Sequence, residues 1–188
     1  MDKSLLPCYN SYITYESADY DMSISFLPAI IADAVTDLTP ELLRQKGIRL
    51  LMIDFDNTIV PYTTDQPTDA VLSWLRMMHS SDVRLCVVSN SKRDRVKIFC
   101  EKYGISCITH AKKPFSKGIR ECLDKFGVPA QECALVGDQI YTDTLGANCA
   151  GVQSILIKAI HNHNFWLKLR HAAELPFIYA ARKRRIVK

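Results

Sequence analysis

The sequence predicts an α/β fold: a five-stranded parallel sheet with helices on both faces. Three observations carry this. Short apolar runs alternate with helical patterns along most of the chain, which implies right-handed crossovers and a parallel sheet. The run Leu50-Leu51-Met52-Ile53 is uninterrupted by polar residues, as suits a strand buried on both faces. It ends abruptly in Asp54 and Asp56, and other polar residues also fall just after apolar runs. In open parallel sheets the carboxyl edge of the strands is where ligands bind.

Taken in order, residues 1–22 are rich in Tyr and Ser without periodicity and read as an N-terminal arm. Residues 23–47 read as a helical segment. Within it, Phe26 to Val35 is apolar with a weak helical period, suited to a short helix on a membrane surface or packed on the domain. Thr39-Pro40-Glu41 supplies an N-cap, a first-turn proline and a first-turn acid, and Gly47 closes that helix. The core follows over residues 48–160. Strands are expected at Ile48–Asp54, Val83–Val88, Ile105–Thr109, Cys133–Gly137 and Ser154–Ile157. Helices between them are marked by Val71, Trp74, Leu75 and Met78, by Val96, Phe99 and Tyr103, by Ile119, Cys122 and Phe126, and by the small-residue stretch around Gly146. Residues 161–188 form a basic helical tail.

Composition narrows the class. A chain of 188 residues with 48% hydrophobic residues can fill one proper core. It holds no apolar run near the roughly 20 residues needed to cross a bilayer, and Met1-Asp2-Lys3-Ser4 does not start like a signal peptide. Seven cysteines without a C-x-x-C pair read as reduced thiols, expected in a cytoplasmic protein. Charge is uneven. Residues 158–188 carry eight Lys/Arg and one acid, a net of +7, against −3 for the rest. A basic tail suits an anionic surface or polymer, or is simply a solvated helix.

The polar residues at strand ends form one set. Asp54 and Asp56 follow the first strand, Ser89 and Asn90 the second, Lys113 the third, and Asp138 and Asp143 the fourth. Each alone has an ordinary explanation: a turn, a surface charge or a helix cap. Together at one edge, they suit a phosphate group with a metal ion. Carboxylates hold the cation, while the cation, lysine and neutral donors hold phosphoryl oxygens. His161-Asn162-His163 lacks further metal-ligating partners and reads as a polar loop.

Asp54-Phe55-Asp56-Asn57-Thr58, Val88-Ser89-Asn90, Lys113-Pro114 and Gly137-Asp138-Gln139-Ile140-Tyr141-Thr142-Asp143 resemble the four motifs of the haloacid dehalogenase (HAD) phosphatases. Leu38-Thr39-Pro40-Glu41-Leu42-Leu43, the Gly137-Asp138-Gln139 wording and the basic tail further resemble the YqeG-type family, related to mitochondrial phosphatidylglycerophosphate phosphatases. The resemblance implies a Rossmann-like, HAD-type core. It implies Asp54 as nucleophile forming an aspartyl-phosphate, and Asp56 as general acid and then base. Mg²⁺ would be held by Asp54, the backbone carbonyl of Asp56 and Asp138, with Asp143 in support. Ser89, Asn90 and Lys113 would bind phosphoryl oxygens and Thr58 would order the first loop. Asp56 also favours a phosphatase over a dehalogenase.

The gaps from Thr58 to Ser89 and from Asn90 to Lys113 cannot hold an inserted domain of at least roughly 50 residues. No separate cap domain is expected, and an open site suits a bulky substrate. Such a substrate is a lipid head group, a protein or a nucleic acid end; the family resemblance implies, among these, an anionic phospholipid, phosphatidylglycerophosphate. The protein would act peripherally on the inner face of the membrane, with the basic run Arg182-Lys183-Arg184-Arg185 at the interface; Phe165 and Trp166 suit that interface or, with Leu169, pack a C-terminal helix onto the sheet. Competing expectations are a soluble phosphatase for nucleotide, sugar or protein phosphates, a nucleic-acid-binding module using the tail, and a silent scaffold. The nucleic-acid reading leaves the strand-end motifs unexplained and finds no aromatic interleaving in the basic run. Intact Asp54 and Asp56 oppose the scaffold.

Overall fold

Strand β2 (Leu50–Ile53) lies at the centre of the sheet, and all four of its residues are buried. The computed structural model describes residues 25–91, 94–160 and 175–181. Five more strands join β2: β1 (Ile30–Ile31), β3 (Arg84–Val88), β4 (Ser106–Ile108), β5 (Cys133–Gly137) and β6 (Gln153–Leu156). Their spatial order is β1-β6-β5-β2-β3-β4, and every pairing is parallel. Ile53 stands opposite both Val87 and Val136, so β2, β3 and β5 end nearly level. The polar residues that follow them consequently emerge at one edge.

Side-chain alternation divides the core in two. Leu51 and Ile53 join Leu85, Val87, Ala134 and Val136 on one face. Helices α1 (Pro40–Gln45), α2 (Asp69–His79) and α3 (Arg95–Tyr103) cover it, with Leu43, Trp74, Met78 and Phe99 as large contributors. Leu50 and Met52 join Cys86, Val88 and Leu135 on the other face. There α4 (Lys117–Phe126) supplies Ile119 and Cys122, and α5 (Leu145–Ala150) supplies Ala147. Thr39 caps α1 by accepting from the Leu42 amide at 3.2 Å, and Thr68 caps α2 by accepting from Val71 at 3.3 Å. Gly104 ends α3 in the left-handed region, φ 65°, where a side chain would be strained.

The sheet has six strands, one more than the sequence predicts. The extra strand lies in Phe26–Val35, which does not form the expected helix. Ala29 and Ala32 donate to the carbonyls of Ser154 and Leu156, each at 3.0 Å, so this stretch pairs with the edge of β6. An open strand edge offers unpaired backbone groups, and satisfying them outweighs a weak helical period. Ile30, Ala32 and Val35 are buried, and Val35–Asp37 forms a 3₁₀ turn. The membrane-surface reading of this segment is thereby overturned, because its apolar side chains are used by the core.

Residues 175–181 are helical. Phe177 packs on Phe26 with ring centroids 5.3 Å apart, and Phe26 packs edge-on against Tyr141 at 5.8 Å. The six described cysteines are free thiols. Among the described residues no helix is long and apolar enough to cross a membrane. The expected arm over residues 1–22, His161-Asn162-His163, Phe165, Trp166 and the basic run 182–185 lie outside the described residues.

Trp74 tests the packing of α2. Its indole Nε1 donates to the Leu38 carbonyl at 2.8 Å, and both residues are buried. Trp74→Phe keeps an aromatic ring but leaves that carbonyl unsatisfied, with an expected cost of ~1–3 kcal/mol. Urea unfolding should show a lowered midpoint. An unchanged midpoint would remove this bond from the account of how α2 docks.

Candidate active site

Asp54 is the first residue after β2, held by its amide donating to the Val136 carbonyl at 2.9 Å. Next, the chain turns sharply. Asn57 takes a left-handed conformation, φ 61°, and its side-chain oxygen accepts from the Tyr62 amide at 3.1 Å. Asp56 and Val60 form an isolated bridge, while Ile59 donates back to the Phe55 carbonyl at 3.1 Å. These bonds fold residues 55–65 into a tight loop beside Asp54. Thr58 is buried in it, and its hydroxyl oxygen has no hydrogen-bond partner among the described residues.

Lys113 arrives from beyond β4. Two left-handed residues, His110 (φ 56°) and Lys112 (φ 57°), turn the chain after the strand. Asn90, beyond β3, then grips the Lys113 backbone from both sides. Its amide nitrogen donates to the Lys113 carbonyl at 2.9 Å, and its oxygen accepts from the Lys113 amide at 2.7 Å. Ser89 is buried, and its hydroxyl accepts from the Ser91 amide at 3.1 Å. With its backbone fixed, Lys113 places its Nζ 2.6 Å from Asp54 Oδ1 and 2.7 Å from Asp143 Oδ1.

Asp143 is delivered by a π-helical turn, Ile140–Thr144, between β5 and α5. The Gln139 carbonyl accepts from both Asp143 and Thr144, at 2.9 and 3.2 Å, and the Gln139 amide donates to Asp143 Oδ2 at 3.2 Å. Widened turns of this kind recur at functional sites. Gly137 is required beneath it, since a Cβ there would collide with the Asp143 carboxylate. Asp138 completes the group: single oxygens of Asp54, Asp138 and Asp143 all lie within 4.8 Å of one another.

The electrostatics follow from burial. Desolvation alone would lower the Lys113 pKa, but the carboxylates of Asp143 and Asp54 outweigh it, so the ammonium is held above its ordinary range. Burial pushes Asp143 up to about 6, against the opposing pull of Lys113, and the Asp54 charge adds to the rise. Asp54 and Asp143 share one buried ammonium, and the Asp138 carboxylate stands beside them. That excess of hard anionic oxygen could hold a metal ion.

The structure thus brings together Asp54, Lys113, Asp138 and Asp143, with Ser89 and Asn90 on the adjoining loop. Asp56 has a different cationic neighbour, Arg95, whose guanidinium nitrogen lies 3.3 Å from Asp56 Oδ1. Sequence reading passed over Arg95. One signal was present: it opens α3, where a cation faces the positive end of the helix dipole. A cation at that position calls for a nearby carboxylate. Gly137 was read as the end of a strand and the start of a motif, but its need for an empty Cβ position was not, because the approach of Asp143 is a tertiary contact.

Lys113→Met tests the buried network. It would leave Asp54 and Asp143 without their cation, at an expected cost of ~3–5 kcal/mol near neutral pH. Without Lys113, which opposes the rise, the Asp143 pKa would lie still further above its unfolded value, so the loss should shrink as pH falls and both states bind the same protons. Urea unfolding at pH 7.5 and pH 5 measures this; an equal loss at both would rule out uncompensated carboxylates as its cause.

A family model described as mitochondrial PGP phosphatase matches residues 21–160. The protein named probable phosphatase YqeG, from Bacillus subtilis strain 168, is 32% identical over 132 residues, 70% of this chain and 77% of that one. A glyceraldehyde 3-phosphate phosphatase from Pyrococcus abyssi is 38% identical over 60 residues, 32% of this chain and only 25% of that protein. Among solved structures, a HAD-superfamily hydrolase from Ehrlichia chaffeensis superposes with a TM-score of 0.49 at 16% identity, covering 73% of this chain and 98% of that one.

Proposed function

This chain belongs to the mitochondrial PGP phosphatase family of HAD-type phosphatases, and from that premise we propose that it is a Mg²⁺-dependent phosphomonoesterase acting on phosphatidylglycerophosphate. The observation that carries the chemistry is the contact of Asp54 with Lys113 at 2.6 Å, inside a group of three carboxylates. An anionic nucleophile meets an anionic phosphoryl group only where positive charge offsets their repulsion.

In this reading Asp54 attacks phosphorus. The bond to the ester oxygen breaks, and Asp56 gives its proton to the departing oxygen. An aspartyl-phosphate remains on Asp54. Asp56 then takes a proton from water, which attacks phosphorus and releases phosphate and free Asp54. Lys113 neutralises phosphoryl oxygens, and Asn90 positions it by holding its backbone. The hydroxyls of Ser89 and Thr58 are further donors; the buried Thr58 oxygen, without a hydrogen-bond partner among the described residues, suits such a role. Asp54, Asp138 and Asp143 would hold Mg²⁺, with the Asp56 carbonyl as a further ligand. The all-oxygen donor set of three clustered carboxylates fits a hard cation. Bound there, the ion would polarise the phosphoryl group and offset its charge.

Two features favour a lipid ester. Among the described residues no inserted domain covers the carboxyl edge of the sheet. Phe115, two residues from Lys113, is 74% exposed, and Lys112, Lys117 and Arg120 beside it are also exposed. An apolar ring among cations suits an anionic bilayer surface.

Phosphate release in the presence of Mg²⁺, from phosphatidylglycerophosphate in mixed micelles, glycerol 3-phosphate and a nucleotide, tests the reading. The lipid should turn over fastest, and Asp54→Asn should lower the rate at least ~10³-fold. Faster turnover of both soluble esters would sink the lipid assignment, and equal rates for the two proteins would sink the nucleophile.

Metal binding has a readout apart from activity. Mg²⁺ at about 100 times its Kd should add ~2.7 kcal/mol of stability at pH 7.5. The gain should shrink at pH 5, where Asp143, with its pKa near 6, carries a proton that the cation must displace. Asp138→Asn should remove most of it. Thermal melts showing the same shift in this variant would exclude Asp138 as a ligand.

A further inference from the structure

We propose that Arg95 is a positioning residue for the reaction: it fixes the Asp56 carboxylate where the leaving oxygen must be protonated, and shapes the loop on that side of the site. The inference rests on the reading of Asp56 as general acid.

Arg95 is poorly placed for an ordinary surface cation. It is the first residue of α3, and its side chain is only 12% exposed. Its guanidinium is instead spread over the loop that follows β2. One terminal nitrogen lies 3.3 Å from Asp56 Oδ1 and donates to the carbonyls of Thr64 at 3.0 Å and Pro61 at 3.4 Å. The other donates to the Tyr62 carbonyl at 2.8 Å. Nε lies 2.7 Å from Asp65 Oδ1. The plane of the group stands over the Phe55 ring at 5.1 Å.

A single rigid fork therefore contacts Phe55 and Asp56 at the start of the loop and Pro61 to Asp65 at its end. Three carbonyls converging on one point would otherwise repel one another. Arginine is the side chain suited to this task, because its donors are fixed in one plane, whereas a lysine ammonium cannot reach the same set at once. The consequence is mechanical. A general acid works only within about 2.6–3.2 Å of the atom it protonates, and a misplacement of about 1 Å can cost ~10²-fold in rate. Asp54 is held on the opposite side by Lys113 and does not share this clamp. Loss of Arg95 should accordingly impair the step that needs a proton while leaving nucleophilic attack largely intact.

Aryl phosphates of similar size but different leaving groups read this directly. The 4-nitrophenolate ion leaves readily without a proton, whereas phenolate, with a phenol pKa of about 10, gains from one. With purified protein and Mg²⁺, the readout is kcat/KM, which reports the steps up to departure of the leaving group and not hydrolysis of the common aspartyl-phosphate: Arg95→Ala should lower it on phenyl phosphate by ~10²-fold and on 4-nitrophenyl phosphate by less than ~10-fold. Arg95→Lys should show the same selectivity, since it keeps the charge and loses the fork. Asp56→Asn should be selective in the same sense. Asp65→Asn, which loosens the loop without touching Asp56, should affect both substrates alike.

If Asp56→Asn slows the two substrates equally, Asp56 is not the acid and the mechanism above fails. If Asp56→Asn is selective but both Arg95 variants slow the substrates equally, or leave both unchanged, Arg95 only supports the fold and the present inference fails. Should Arg95→Ala not fold by circular dichroism, Arg95→Lys decides between the same outcomes.

Discussion

The site depends on one buried ion cluster, the Lys113 ammonium between Asp54 and Asp143. Lys113 has a side chain only 1% exposed, so neither partner can be exchanged for water. Desolvating these charges costs several kcal/mol per ion, and the short contacts at 2.6 and 2.7 Å, with the Gln139 amide on Asp143, compensate. The cluster is thus a poor stabiliser of the fold, and its existence shifts the question from stability to function. Because the three residues come from beyond β2, β4 and β5, their contact also fixes how three loops meet at the sheet edge. Asn90, gripping the Lys113 backbone from beyond β3, adds the fourth.

Several backbone choices exist only to allow that meeting. Gly137 has no side chain because Asp143 occupies the space where a Cβ would be. The π-helical turn lets the Gln139 carbonyl receive both Asp143 and Thr144, which sets Asp143 over Gly137. Asn57, His110 and Lys112 adopt left-handed conformations without being glycine, at a cost that the surrounding hydrogen bonds over-determine. These positions cluster beyond β2 and β4, while the strands themselves are regular. Local strain sits where the chemistry is proposed, on a scaffold of ordinary parallel strands.

Much of this was legible in the sequence because parallel strands buried on both faces are written as unbroken apolar runs. Leu50–Ile53, Arg84–Val88 and Cys133–Gly137 have strand limits close to those expected, and the polar residues after them fall at one edge. What the sequence hid was of two kinds. Ile30–Ile31 is a two-residue strand, too short for a period to register, and it is a strand only because β6 offers it an edge. Arg95 acts across 39 positions on Asp56, a relation that spacing cannot encode. Its one local trace is a cation at a helix N-terminus. The expected split of the chain into arm, helical segment, core and tail is a different matter, since much of the arm and tail lies outside the described residues.

The open edge changes what selectivity can mean here. An enzyme with an inserted cap excludes water and measures its substrate by closing over it. Among the described residues, what stands in that place is the loop 55–65, eleven residues tied down by Arg95 and by Asn57. A loop pinned at several points cannot close far, so little discrimination by induced fit is available to it. Under the proposed lipid reading, discrimination would come instead from where the substrate is presented. A phosphate ester held at a surface arrives from one direction and with restricted orientation, which supplies part of the positioning that a cap would provide. The exposed Phe115 and its basic neighbours Lys112, Lys117 and Arg120 lie near Lys113 in the chain. Among the described residues, a cleft without an inserted cap is thus compatible with the proposed lipid ester, whose own anchoring would supply the positioning that a closing domain supplies elsewhere.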